Sequence, residues 1–168
     1  MYTGVIVDFQ KDKSIILNKI ILENVEVIME NKVFKELNEN YRYLNNYIIA
    51  MEKSLFRDAN ISIVKAKVFS ENLSQEVAKL EDLGLLMGMN QNDRLKELNN
   101  KTDIDKYGLS IFNKIRRVIN ISSISKGNNT ESALLLHRCS YDLTCWFVNR
   151  YIDEEFKIEE YKTPLIKI

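Results

Sequence analysis

His137 is the one imidazole in the chain, and it stands close to Cys139, Ser140 and Asp142, residue types from which a nucleophile, a base and an orienting acid could be assembled. Such a triad must converge on one reacting atom. Neighbours one to five positions apart on a single helix fan out around it instead. His137 therefore reads as a partly buried helical residue. Metal ligation fares no better, because one histidine and two cysteines, Cys139 and Cys145, six positions apart, cannot complete a Cys/His zinc site. The two thiols would point to opposite sides of a helix and are expected to be buried and free. No Gly-rich phosphate loop of either common pattern occurs. The acid pairs Glu81-Asp82 and Glu159-Glu160 read as solvated faces. These positions predict no catalytic residue, no metal and no cofactor.

Basic residues say more. Lys114, Arg116 and Arg117 crowd one predicted helix, Asn120 follows a turn later, and Lys126 lies in the loop beyond. Positive charge near a helix C-terminus is favoured on its own by about 0.3–1 kcal/mol, so a solvated face would account for it. The same five side chains are also the candidates for contact with nucleic acid or a partner.

The elements that must position these residues are mainly helical. Residues 33–55 place Val33, Phe34, Leu37, Tyr41, Leu44, Tyr47, Ile48, Met51 and Leu55 at spacings of three and four, predicting one long amphipathic helix with an aromatic stripe. Asp58 can cap a second helix from Ala59 to about Leu83, burying Ile61, Val64 or Val68, Ala66, Phe69, Leu73, Val77 and Leu80, with Gly84 as its stop. Asn92 or Asp93 starts a short helix over residues 94–98, and residues 99–102 read as a loop. Asp103 or Asp105 opens a third long helix carrying Leu109, Phe112 and Ile115, closed by a turn-forming stretch over residues 122–129. A fourth helix from Thr130 to about Tyr151 is apolar on more than one side and should be central. Ahead of all this, β-branched runs in residues 1–30 predict a small hairpin or three-stranded element, too small to stand alone. The expected organisation is a β element over 1–30, a four-helix bundle over 31–152, and an extended tail or linker over 153–168.

Composition agrees with that outline. Five glycines and one proline in 168 residues disfavour a turn-rich β fold, and 45% hydrophobic with 29% charged residues is globular. Lys and Arg number 24, as do Asp and Glu, giving a formal net charge of +0. A protein that binds phosphate backbones over its whole surface would carry a basic excess, so only a local basic strip is in prospect. No apolar run is long enough to span a membrane and no signal-peptide core opens the chain, so a cytoplasmic location is expected.

Three stretches, in order, resemble a helical N-terminal domain of type I restriction enzyme R subunits and related helicase-nucleases, within the broad helical group that includes the HEPN proteins. The first runs from Ala50-Met51-Glu52 through Asp58 and Lys65 to Glu71 and Leu73. The second joins Asp93-Arg94-Leu95-Lys96-Glu97-Leu98 to Ile111-Phe112-Asn113-Lys114-Ile115-Arg116-Arg117-Val118-Ile119-Asn120. The third runs from Thr130-Glu131-Ser132-Ala133 through Cys145-Trp146-Phe147 to Tyr151, with an exit over Phe156 to Pro164. The resemblance implies a HEPN-like bundle in a restriction or defence system, partnered by other subunits of such a complex and by DNA or RNA. In HEPN ribonucleases an Arg steadies the phosphate and a following His moves the proton. Aligned through Asn120, Arg116 takes the Arg position and Ile124 stands where the His would be, so the resemblance implies a non-catalytic accessory module. Two other functions stay open: a divergent ribonuclease pairing Arg116 with His137, and a protein-binding antitoxin, immunity protein or inhibitor whose N-terminal strands augment a partner sheet. Homodimerisation through the aromatic helix is a further expectation.

Overall fold

The computed structural model describes residues 26–28, 31–124, 127 and 129–167. The chain divides into two units. In one, β1 (Glu26–Ile28) pairs antiparallel with β2 (Leu165–Lys167), Val27 opposite Ile166. The rest of the β element expected over residues 1–30 lies outside the described residues.

The other unit, residues 31–163 as described, is helical: α1 (Lys32–Asn40), α2 (Arg42–Ser54), α3 (Ala59–Leu80), a 3-10 turn (Gly84–Gly88), α4 (Gln91–Lys101), α5 (Lys106–Ile124), α6 (Thr130–Phe147) and a closing π turn (Val148–Ile152). The six α-helices among the described residues are the four long helices and the short one that the sequence predicts, with the first long helix divided in two. The extra boundary comes from Tyr41, which interrupts the predicted 33–55 helix at φ −137° and ψ 66°. Its ring packs edge-on against Phe147, 5.3 Å between centroids, while the Asn40 side chain donates to the Glu36 carbonyl and competes with helix continuation. Periodicity runs unbroken across this break, since Phe34, Leu37, Leu44, Ile48, Met51 and Leu55 are all buried.

Asp58 caps α3 as expected, accepting from the backbone N–H groups of Asn60 and Ile61. On α3, Ala66, Phe69, Leu73 and Val77 are buried as predicted, but Ile61, Val64 and Leu80 are exposed, whereas Ser62, Ile63, Ser70 and Ser74 are inside. Serines this small allow close helix approach and return their hydroxyls to the backbone, Ser62 Oγ to Met51 O at 3.0 Å and Ser74 Oγ to Glu71 O at 2.7 Å. The stop also moves. Asp82, at φ 57°, takes the left-handed position, and the Leu83 N–H donates to Ala78 O while the Asp82 N–H donates to Lys79 O, so Gly84 only begins the next turn.

Asn90, rather than Asn92 or Asp93, caps α4 by accepting from the Asp93 N–H, and the predicted loop at Asn99–Lys101 is helical, closed by Thr102 Oγ1 donating to Leu98 O. In α6 the expectation holds: it buries eleven residues from Ala133 to Phe147 and packs against α1, α2, α3 and α5. Gly108 of α5 lies against the Trp146 ring, where a side chain would collide with the indole. Residues 153–163 are sewn onto the bundle, with Asn31 exchanging two 2.9 Å hydrogen bonds with the Lys162 backbone and Tyr141 Oη donating to Glu159 O.

Candidate functional site

The candidate basic residues separate by helix face. Arg116 and Asn120, one turn apart on α5, line a cavity of about 130 Å³ against Lys67 and Glu71 of α3 and Gln91 of α4. Arg116 is half-buried, and its Nη1 donates to Asn113 Oδ1 at 3.2 Å. Asn113 in turn lines a groove of about 470 Å³ between α4 and α5, together with Asn92, Lys96, Asn99 and Lys106. The Arg116–Asn113 bond thus links the two hollows. Among the described residues, Lys96 and Lys106 line the groove, and Lys67 and Arg116 line the adjoining cavity with one carboxylate, Glu71. Lys114 and Arg117 are exposed but line neither hollow; Lys114 acts electrostatically on Cys139 and Asp142 of α6. Lys126 lies outside the described residues. Lys67, Lys96 and Lys106 could not be found from sequence, because three separate helix segments bring them together.

His137 is fully buried, a correction to the half-buried position expected for it. Its Nε2 lies 2.8 Å from Glu52 Oε1 and its Nδ1 lies 2.6 Å from Tyr161 Oη. Glu52 is as deeply buried, and among the described residues its Oε2 has no hydrogen-bond partner. With Glu52 Oε1 as acceptor, the tautomer that pairs both ring nitrogens places the proton on Nε2 and lets Nδ1 accept the Tyr161 hydroxyl. Phe34 packs edge-on against the imidazole. With both nitrogens engaged and no solvent access, His137 is not assembled with Arg116, which lines the α3–α5 cavity and donates to Asn113 Oδ1.

The neighbours of His137 form no nucleophilic site either. Ser140 Oγ donates to the Leu136 carbonyl, and burial raises the Cys139 thiol and pushes Cys145 up to about 11. Arg94, within the second matched stretch, is a brace for the 3-10 turn. Its guanidinium donates to Leu86 O, Met87 O, Met89 O and Ser74 Oγ at 2.5–3.0 Å, and burial lowers its pKa from the ordinary arginine value. Among the described residues no group of three or more His, Cys, Asp or Glu is placed to hold a metal ion, and no helix is long and apolar enough to cross a membrane.

Comparison with known proteins adds one relation. Over 120 residues, or 68% of its length, the chain is 28% identical to the type I restriction enzyme EcoKI endonuclease subunit of Escherichia coli strain K12. The similarity links the chain to a restriction-system protein. The chain corresponds to only 10% of that subunit. No family model and no solved structure matches.

Proposed function

We propose that this chain is a non-catalytic, HEPN-like helical accessory module of a restriction-type nuclease-helicase system in the cytoplasm, and that the groove along α4 and α5 is where it meets the phosphate backbone of nucleic acid. The observation that carries this reading is the gathering of Lys67, Lys96, Lys106 and Arg116 around amide side chains with one opposing carboxylate, on a chain whose net charge is +0. Cations concentrated on one strip release counterions from a phosphate backbone, while Asn92, Asn99, Asn113 and Asn120 can donate to phosphate oxygens. The similarity to part of a restriction subunit supports the setting, in which other subunits of the complex are the natural partners.

The four cations of the groove and its adjoining cavity, opposed by one carboxylate, amount to about three effective phosphate contacts, so log K against log salt should fall with a slope of about −3 on duplex DNA. Fluorescence anisotropy of labelled duplex DNA and single-stranded RNA, at about 20 to 150 mM salt, tests this. Lys96→Ala/Arg116→Ala should weaken binding about tenfold or more, while Lys114→Ala, outside the groove, should leave it unchanged. Absence of binding at the lowest salt, or equal losses in the two variants, overturns the assignment.

A further inference from the structure

A second cavity, of about 470 Å³, has the opposite character. It opens where the head of α5, the last turns of α6 and the exit segment meet, and its walls include Tyr107, Tyr141 and Trp146 with the carboxylates of Asp105 and Asp142. Asp105 Oδ1 accepts the Trp146 indole N–H at 2.7 Å, which fixes the plane of the ring, and Gly108 lets that ring lie directly on α5. Tyr141 and Trp146 are nearly buried, whereas Tyr107 is 60% exposed and stands at the rim.

The charge inside this cavity is not balanced from within. Asp142 has only a long contact to Arg138, 3.7 Å from Oδ1 to Nε. Burial raises its carboxyl above the ordinary value, although Arg138 and Lys114 pull the other way. Arg150 also borders the cavity, but its guanidinium already meets Glu81 at 3.1 Å, Asp103 at 2.9 Å and the Tyr151 hydroxyl at 3.0 Å. Its charge is spent on two other carboxylates. What faces an incoming group is therefore aromatic surface with two acids at its edge.

We propose that this cavity receives an arginine side chain from a partner polypeptide, the guanidinium stacking on Trp146 and Tyr107 and pairing with Asp142 and Asp105. A guanidinium is flat, cationic and weakly hydrated, and so uses both features of the wall at once. A phosphate or nucleotide would be repelled by the same acids, and a neutral base would leave them unpaired. The inference stands apart from the α4–α5 groove, which has the opposite sign and shares no lining residue with it.

Trp146 is the only tryptophan in the sequence, so its emission reports this wall alone. Titration of the full chain with N-acetyl-arginine methylamide should give a saturable fluorescence change, absent with the uncharged citrulline analogue and with AMP. Asp142→Asn and Tyr107→Ala should each raise the apparent Kd about fivefold to tenfold. Tyr107 is largely in solvent, so its replacement leaves the fold intact and gives a second, independent reading of the same site. Lys96→Ala/Arg116→Ala should respond to arginine like the parent, separating failure here from failure of the groove. An equal response to the citrulline analogue, a response to AMP, or an unaltered affinity in Tyr107→Ala overturns the proposal.

Discussion

Removing the Glu52 carboxylate should be among the most damaging single changes this bundle can suffer. Glu52 and His137 are both fully buried and bonded at 2.8 Å, so Glu52→Ala strands the His137 Nε2–H where no protein acceptor replaces it. A neutral Nε2–H buried without an acceptor costs about 1–3 kcal/mol, and the cavity left by the shorter side chain adds on the order of 2 kcal/mol, for a total of about 3–5 kcal/mol. Against a total stability of about 5–15 kcal/mol for an ordinary domain, that is about a fifth or more of what holds the native state. Glu52→Gln keeps an acceptor for Nε2–H and fills the same space, so it should cost less than Glu52→Ala, about 1–2 kcal/mol. Tyr161→Phe removes the hydroxyl bonded to Nδ1 and should cost about 1 kcal/mol. Urea unfolding followed through the nearly buried Trp146 measures all three, and His137→Ala with the double variant Glu52→Ala/His137→Ala completes the cycle. A coupling energy above about 1 kcal/mol is expected. Additivity within about 0.5 kcal/mol, or a cost below about 1 kcal/mol for Glu52→Ala, would refute the assignment of this pair as a mutually dependent interior contact.

Gly108→Ala sets helix propensity against packing: alanine is favoured by about 1 kcal/mol in an open helix, but its Cβ would fall within 2.6 Å of three indole atoms of Trp146. Overlap of that size should win, with a net loss of about 2–3 kcal/mol by denaturation, while Gly84→Ala, with nothing in reach of its Cβ, should be neutral or slightly stabilising. For Asp142 the folded pKa lies above 3.8, so the folded state holds its proton more tightly than the unfolded chain does and stability falls as pH rises from 3.8 through the folded value. Asp142→Asn should therefore be more stable than the parent at neutral pH, with the gap closing as pH drops below 3.8; thermal melts across pH 3 to 7 check the sign, and a gap that widens on acidification contradicts it.

How far the sequence discloses this molecule depends on whether the decisive groups are local. The Asp58 cap and the apolar load of α6 are written within single helices, and both elements form where the pattern places them. The break at Tyr41 is invisible to periodicity because the apolar stripe continues through it; a ring contact with Phe147, more than a hundred residues on, holds the non-helical angles. On α3 the inward face is led by serines, which no hydrophobic pattern selects, so the face is displaced from Ile61 and Val64 to Ser62 and Ile63. The same division governs the candidate site: crowding on α5 points to Arg116 and Asn120, whereas Lys67, Lys96 and Lys106 acquire meaning only once α3, α4 and α5 pack.

His137 is the sharpest case. Its partners lie 85 residues before it and 24 after it, and neither Glu52 nor Tyr161 carries a local sign of being buried with an imidazole. Hydrophobic packing alone would accept several placements of the exit segment, since Phe156 and Tyr161 could cover many apolar patches. A tyrosine hydroxyl that must find one particular ring nitrogen, with the Lys162 backbone closing onto Asn31 beside it, accepts one. The chain's only imidazole is thus spent on positioning, tying α2 and α6 to residues 153–163.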